Sequence, residues 1–288
     1  MDLKDVWKPT TLVLSSGGIC GILLLGSVKL LKEQGLLTDV KHYIGCSAGS
    51  IVIGALVSGF SAEKMMDLLL QLDFSDWNNE LTATEGLIKA KKLTNVIHEY
   101  LGELCLKDFN ERITFSVVNL NLGKTEYIDS VTHPDLKLAD AVMMSCSLPI
   151  LFPAIKYNGY LYCDGGVADP FPINKSEEPE NTLGLNCIKS TTGNYVEIKK
   201  SFSYILTVAN ILVNVIRDEL NVLKNYKHHN VIELYSCYEE ELKGTLNCPN
   251  NKKVFMYHEG IKLTSSFIKI FSERKFLELE DPQRTKGL

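Results

Sequence analysis

A G-x-S-x-G pattern between two apolar runs is the feature that most restricts how this chain can fold. It occupies residues 45–49, with Ser47 at its centre. It lies between residues 40–44, of which Val40, Tyr43 and Ile44 are apolar, and the apolar run 51–57. This context predicts a strand, a sharp turn and a helix, the arrangement called a nucleophile elbow. Glycines on both sides allow the backbone to turn tightly. The serine hydroxyl would then project at a helix N-terminus, where backbone N–H groups favour negative charge.

A strand and a helix precede this pattern. The apolar run 11–14 predicts a buried strand, and residues 22–34 carry apolar side chains at helical spacing, with Gly35 as the residue that ends the helix. With the run 40–44 as the next strand, these elements form a βαβ unit. Its two strands should be parallel and its crossover right-handed.

The loop at residues 15–21 is rich in glycine and serine and follows the first predicted strand. Because the carboxyl ends of parallel strands lie at one edge of a sheet, we expect this loop to lie near Ser47. Gly17 and Gly18 would let backbone N–H groups approach a substrate oxygen. The loop does not fit a dinucleotide-binding fingerprint, because Ser16 takes the place of the first glycine and no acidic residue ends the second strand.

A second short motif lies in the middle of the chain. Asn158-Gly159 separates the short runs 154–157 and 160–163, and this dipeptide is a strong signal for a two-residue hairpin. Asp164 follows directly after the hairpin and precedes two glycines.

The alternation of strand and helix patterns predicts an α/β fold with a central, mostly parallel sheet flanked by helices. We predict one domain over residues 11–272, with its motifs in residues 11–172, and a charged, frayed tail over residues 273–288. Residues 73–84 are predicted as a loop. The other predicted helices and strands are residues 61–72, 86–102, 113–119, 125–128, 137–145, 182–185, 202–223, 231–235 and 255–271.

Composition excludes several classes of protein. The net charge of −5 argues against nucleic-acid binding. The eight cysteines are scattered singly, which argues against a zinc site. The N-terminus does not resemble a signal peptide, and the uncharged stretch 201–216 is too short for a membrane span. We therefore expect a soluble, cytoplasmic protein whose membrane contact is peripheral; the oligomeric state is left open.

Four sequence blocks resemble the patatin-like phospholipase family in their order and spacing. The resemblance runs from residue 11 to residue 172 and is diffuse beyond that point. The blocks are Leu-Val-Leu-Ser-Ser-Gly-Gly-Ile-Cys-Gly at 12–21, Gly-Cys-Ser-Ala-Gly at 45–49, Ser-Cys-Ser-Leu-Pro-Ile-Leu-Phe-Pro at 145–153 and Asp-Gly-Gly at 164–166.

The resemblance implies a patatin-like fold and a lipid acyl hydrolase of the phospholipase A type, without a metal or cofactor. Ser47 would be the nucleophile and Asp164 its base, forming a dyad. The N–H groups of Gly17, Gly18 and Ile19 would form the oxyanion hole. The substrate would be a lipid or phospholipid at a membrane or micelle surface. The glycines that support these motifs are Gly45, Gly49, Gly165 and Gly166.

An aspartate that acts without a histidine needs a suitable environment. A solvated aspartate has a pKa of about 3.9 and is a weak base toward a serine hydroxyl. Burial in an apolar surrounding raises the pKa of a carboxyl group. Direct contact between the carboxylate and the hydroxyl would help further.

The glycine-rich loop departs from the family pattern at two positions. The family loop usually reads Gly-Gly-Gly-x-Arg-Gly, whereas Ser16 and Cys20 stand here in place of the first glycine and the basic residue. Losing the basic residue removes a contact to a phosphate, which weakens the case for a phospholipid relative to a neutral ester but not the case for acyl hydrolysis. The departures also leave open a catalytically weak lipid-binding or regulatory protein with the same fold. They also lead to the expectation that Cys20→Arg is tolerated and raises phospholipid turnover.

Other interpretations remain to be tested. A Ser-Asp-His triad would use His228, His229 or His258, although the serine comes too early in the chain for an ordinary α/β-hydrolase. The acyl group could pass to an alcohol other than water. Residues 145–153 are predicted to be structural, with an apolar segment that lines or caps the site, and Cys46 is predicted to be a buried small residue.

Overall fold

The computed structural model describes residues 3–5, 7–72, 90–149, 152–188, 230–236 and 248–280. The predicted loop at 73–84 and the predicted helix at 202–223 lie outside these residues. The strands are β1 (Thr11–Leu14), β2 (His42–Gly45), β3 (Arg112–Asn119), β4 (Lys124–Asp129), β5 (Ile155–Tyr157), β6 (Tyr160–Asp164), β7 (Thr182–Cys187) and β8 (Asn230–Leu234). The helices are α1 (Gly21–Glu33), α2 (Ala48–Val57), α3 (Ala62–Gln71), α4 (Ala90–Leu101), α5 (Leu138–Cys146) and α6 (Asn250–Glu280).

The eight strands form one mixed sheet in the order β5-β6-β3-β2-β1-β7-β8, with β4 paired to β3. β3, β2, β1, β7 and β8 are mutually parallel, and the parallel pairing of β1 with β2 is the one that the βαβ pattern predicted. β4 and β6 run antiparallel to β3, and β5 pairs antiparallel with β6. The predicted α/β fold with a central, mostly parallel sheet flanked by helices is therefore confirmed.

Both faces of the central strands are buried. Successive side chains of a strand point to opposite faces. In β1, Leu12 and Leu14 accordingly join the large core cluster that the helices complete, while Val13 belongs to a small cluster on the other face. Phe171 and Ile173, from the segment that follows β6, cover that second face. Burial on both faces explains why β1 is a continuous apolar run.

Strand β3 brings the ends of β2 and β6 together. Residues 114–115 pair with β2 and β4, whereas residues 117–119 pair with β6 and β4. Since a strand has only two hydrogen-bonding sides, β2 and β6 share one side of β3 and β4 occupies the other. β2 ends opposite Phe115 and the antiparallel β6 ends opposite Val117. The two carboxyl ends therefore point at each other across about one residue of β3.

Local turn signals predicted from the sequence are confirmed. Asn158 and Gly159 both have positive φ, 47° and 84°, as a type I′ hairpin turn requires. Gly35, with φ of 68°, follows the end of α1. Ser61 caps α3, since its hydroxyl oxygen accepts a hydrogen bond from the N–H of Lys64 at 3.1 Å.

Helix α6 is longer than its apolar pattern predicted, and it crosses α1 at close range. A Cβ placed on Gly260 would lie 2.1 Å from the carbonyl oxygen of Leu23, and one on Gly26 would lie 2.0 Å from that of Tyr257. Glycine on both helices therefore permits backbone contact. The helix continues to Glu280, so the first part of the tail predicted to be frayed is helical; residues 281–288 lie outside the described residues.

Candidate active site

Ser47 occupies the turn between β2 and α2 in a conformation that few residues adopt. Its φ of 53° and ψ of −120° lie outside the regions that L-residues ordinarily populate. The turn is tight because α2 begins directly over the end of β1. A Cβ on Gly49 would lie 2.5 Å from the carbonyl oxygen of Leu14. The strand, sharp turn and helix predicted around this serine are thus present.

Asp164 lies at the end of β6, directly opposite this turn. The hydroxyl of Ser47 donates a hydrogen bond to Oδ2 of Asp164 over 2.6 Å. The other carboxylate oxygen, Oδ1, accepts a hydrogen bond from the N–H of Gly166 at 2.7 Å. Asp164 is buried, with only 2% of its surface exposed to solvent. The structure therefore brings the two residues together through the converging ends of β2 and β6.

Two cysteines near Asp164, Cys146 and Cys163, have raised thiol pKa values. Burial, and secondarily the charge of Asp164, raises the pKa of Cys146 well above its ordinary value. The same two causes, in the same order, raise the pKa of Cys163 to about 11. Both thiols are therefore protonated near neutral pH and are poor nucleophiles. Cys46 is fully buried, as predicted for a small residue inside the elbow.

The glycine-rich loop packs against the start of α2. A Cβ on Gly21 would lie 2.6 Å from the Cβ of Ala48, the residue that follows Ser47. Residues Gly18–Cys20 form a short 3₁₀ turn, whose first N–H groups have no partner within the turn. Gly18 has φ of 55°, and a Cβ there would meet no atom within 4 Å. Gly18 and Ile19 therefore belong to a turn that borders open space at Gly18, whereas Gly17, which precedes the turn, packs against the side chain of Cys187.

A buried serine that the sequence analysis assigned only to a structural segment holds the elbow. Ser145, at the end of α5, is fully buried, and its Oγ accepts a hydrogen bond from the N–H of Ser47 at 3.0 Å. Its own hydroxyl donates to the carbonyl oxygen of Ser116 at 2.8 Å. Ser50 donates a further bond to Ser145 Oγ at 2.8 Å. The signal in the sequence was a run of small polar residues, Ser145-Cys146-Ser147, at the end of an apolar helix.

Gly165 and Gly166 place the loop after β6 against the sheet. A Cβ on Gly165 would lie 2.2 Å from the carbonyl oxygen of Ser116, so this position has no room for a side chain. Ser16 packs on the neighbouring glycine, since its Cβ is 3.3 Å from the position of a Cβ on Gly166. The N–H of Ser16 donates to the carbonyl oxygen of Pro170 at 2.7 Å. Ser16 thus contacts the segment that follows Asp164 through its backbone N–H and its Cβ.

The surroundings of Cys20 contradict the expectation that Cys20→Arg is tolerated. Cys20 is only 6% exposed and belongs to the large core cluster, and the thiol of Cys187 lies against its carbonyl oxygen at 3.6 Å. An arginine at this position would have to bury its guanidinium group within apolar side chains, which is costly without a paired charge.

Cys20→Arg is therefore expected to lower the free energy of unfolding by about 3 kcal/mol or more. Thermal and urea unfolding of this variant, beside Cys20→Ala, measure the effect. The alanine variant creates only a small cavity and should cost about 1 kcal/mol. Equal stability of the arginine variant and the wild type would restore the original expectation.

Of the three histidines of the alternative triad, His258 lies among the described residues. His258 lies on α6 and is exposed. His228 and His229 lie outside the described residues.

Comparison with known proteins places this architecture in a class of lipid hydrolases. A family profile described as patatin-like phospholipase matches residues 12–175, which is more than half of the chain. The chain belongs to the patatin-like phospholipase family.

Relatives cover different shares of the chain. A probable lipid hydrolase, 463L, of Invertebrate iridescent virus 6 is 26% identical over 87% of this chain and 86% of its own length. Triacylglycerol lipase 4 of Saccharomyces cerevisiae is 26% identical over 60% of this chain, which corresponds to only 23% of the yeast protein. Among solved structures, VipD from Legionella pneumophila shares the fold, with a TM-score of 0.62 and 16% identity, over 91% of this chain and 67% of VipD.

Within the described part of the chain, no helix combines the length and the apolar character needed to cross a membrane.

Proposed function

We propose that this protein is a lipid acyl hydrolase, similar to phospholipase A, in which Ser47 is the nucleophile and Asp164 the base. The observation that carries the proposal is the 2.6 Å hydrogen bond from the serine hydroxyl to a carboxylate that is almost completely buried. Membership of the patatin-like family and the names of two relatives, a probable lipid hydrolase and a triacylglycerol lipase, support the class of substrate.

In the first half of the reaction, Ser47 Oγ attacks the carbonyl carbon of the ester while its proton passes to Asp164 Oδ2. The carbonyl oxygen becomes an oxyanion, which the N–H groups of Gly17, Gly18 and Ile19 stabilise together with the positive end of α2. The tetrahedral intermediate then expels the alcohol, which takes the proton from Asp164. The product is an acyl ester on Ser47.

In the second half, water replaces the alcohol and the same groups act in reverse order. Asp164 accepts a proton from water, whose oxygen attacks the acyl carbon. When the intermediate collapses, the fatty acid leaves and Ser47 Oγ recovers the proton. Direct contact between the serine hydroxyl and the carboxylate assists both halves, because the proton moves between groups that are already hydrogen-bonded.

The position of the serine also lowers the reorganisation that the reaction needs. The strained φ of Ser47 presents its hydroxyl at the N-terminus of α2, and the bond from its N–H to Ser145 holds the backbone in that conformation. A nucleophile already in contact with its base pays little entropy to reach the reacting geometry. Substrate is expected at a membrane or micelle surface, where long-chain lipid esters reside.

The proposal is tested by fatty-acid release and by labelling of the serine. Wild-type protein should release fatty acid from phospholipid vesicles, hydrolyse a short-chain p-nitrophenyl ester and react with a fluorophosphonate that becomes attached to Ser47. The matched control is Ser58→Ala, at the other end of α2, which should keep both labelling and turnover, whereas Ser47→Ala loses both.

Each other result has a defined meaning. Folded wild-type protein that neither reacts with the fluorophosphonate nor releases fatty acid would refute hydrolysis and favour a lipid-binding role. Label on a residue other than Ser47 would refute the proposed nucleophile.

A further inference from the structure

Two hairpins project beyond the sheet on the side where Ser47 and Asp164 meet. β3 and β4 are joined by residues 120–123, and β5 and β6 are joined by Asn158-Gly159. β6 ends at Asp164, opposite Val117, so its beginning lies farther out along β3 than the dyad does. Both turns therefore extend past the carboxyl edge of the sheet. We call residues 119–124 and 156–161 together the tip surface.

The tip surface carries large apolar side chains that are exposed to solvent. Leu120 is 48% exposed, Leu122 51%, Tyr160 40% and Leu161 39%. Single exposed apolar residues are ordinary on protein surfaces, whereas several together at one edge indicate an interaction site. Here they come from two different hairpins and meet at the edge that also contains the candidate active site.

Hydrogen bonds between the two turns fix them as one surface. The N–H of Leu120 donates to the carbonyl oxygen of Leu161 at 2.9 Å, and the N–H of Leu161 donates to Oδ1 of Asn121 at 2.6 Å. Within the first turn, Oδ1 of Asn119 accepts from the N–H groups of Asn121 and Leu122, both at 3.1 Å. The apolar side chains are thus presented by a constrained backbone, which reduces the entropy lost when they bind.

The charge of the tip surface differs from that of the whole protein. The chain carries a net charge of −5, yet residues 119–124 and 156–161 of the tip surface contain two lysines, Lys124 and Lys156, and no acidic residue. Both lysines are exposed, and Lys124 pairs with Glu126, which lies just inside β4, at 3.2 Å. An apolar surface bordered by lysines in an otherwise acidic protein is complementary to anionic lipid headgroups above an acyl layer.

The distance to the dyad also suits a lipid surface. Leu120 is three residues beyond Val117, the partner of Asp164, and three residues of strand span about 10 Å. Apolar side chains of peripheral proteins enter the headgroup region by about 5–10 Å. A lipid ester would then need to rise only a short way from the bilayer to reach Ser47.

We propose that the tip surface docks this protein on a phospholipid bilayer. The proposal rests on the lipid acyl hydrolase function proposed above, and it assigns the part of the molecule that meets the membrane. The apolar side chains enter the interface, the lysines lie at the level of the anionic headgroups, and the candidate active site faces the same surface.

Vesicle binding of charge-introducing variants tests this proposal. Full-length protein is sedimented with vesicles of phosphatidylcholine and phosphatidylglycerol. Leu122→Asp and Leu161→Asp should each weaken binding at least tenfold. The matched controls are Val131→Asp, in the turn after β4 toward the opposite edge, and Ile270→Asp, on α6; these residues are 75% and 68% exposed and should retain binding.

The same variants separate docking from catalysis. Leu122→Asp and Leu161→Asp should keep the turnover of a soluble short-chain ester while release of fatty acid from vesicles falls with binding. Unchanged vesicle binding in the tip variants, equal losses in the controls, or a wild type that does not bind vesicles would each overturn the docking proposal. So would a dimer that the tip variants dissociate, because the surface would then join two copies of the chain. Normal docking without turnover of any ester would instead refute the proposed hydrolase.

Discussion

Asp164→Asn is expected to lower kcat for ester hydrolysis by about 10³–10⁴-fold while the fold is retained. An amide oxygen is too weakly basic to take the proton of Ser47. Both carboxylate oxygens of Asp164 accept hydrogen bonds, one from Ser47 and one from the N–H of Gly166. Asparagine can accept only one of these bonds through its amide oxygen, because its NH₂ group is a donor. Rates of short-chain ester hydrolysis and of fluorophosphonate labelling of Ser47 should fall together.

The histidine variants distinguish this dyad from a triad. His228→Ala, His229→Ala and His258→Ala should each retain nearly full turnover. Loss of turnover in one of them, with retention in Asp164→Asn, would assign the base to a histidine. Circular dichroism of all four variants separates a chemical effect from unfolding.

The elbow was predictable because its determinants are local. The apolar runs around residues 45–49 and the two glycines specify a strand, a turn and a helix without reference to the rest of the chain. The βαβ rule then placed the loop containing Gly17 and Gly18 at the same edge of the sheet. For the same reason, the Asn158-Gly159 turn was predicted correctly.

The pairing that brings Asp164 to Ser47 was not predictable from patterning. This pairing requires that β2 and β6 bind the same side of β3, β2 along residues 112–115 and β6 along residues 117–119. Such register is set by contacts between strands far apart in sequence, and periodicity does not specify them. The resemblance to a family supplied the pair of residues, whereas the route by which the backbone joins them came from the structure.

Tertiary contacts also account for two places where the structure differs from what the sequence patterns predict. Cys20→Arg was expected to be tolerated, but the loop folds back into the core and buries Cys20. The charged segment that follows Phe271 looked frayed, but Arg274 donates a hydrogen bond to Asn230 at 3.3 Å and lies over the Phe271 ring. Glutamate, lysine and arginine are good helix formers, so such contacts are sufficient to continue the helix.

Gly165→Ala is expected to lower kcat about 100-fold and to destabilise the fold by about 1–3 kcal/mol. The added Cβ would lie 2.2 Å from the carbonyl oxygen of Ser116 and 2.4 Å from its carbonyl carbon. Both atoms belong to the backbone of a central strand, so no side-chain rotation can relieve the overlap. The segment after β6 would have to move outward, and Asp164, the residue directly before Gly165, would move away from Ser47.

Gly59→Ala is the control that separates misplacement from instability. Gly59 has φ of 83°, so alanine there is strained and should cost about 1–2 kcal/mol, but its Cβ would meet no atom within 4 Å. This variant should lose comparable stability and keep its kcat. Urea unfolding and ester hydrolysis of both variants, measured below their melting transitions, provide the comparison. Ser116 of β3 contacts both halves of the site, because its carbonyl oxygen also accepts a hydrogen bond from Ser145, which in turn holds the N–H of Ser47. A Gly165→Ala variant with full kcat would therefore mean that β3 does not control the distance between Ser47 and Asp164.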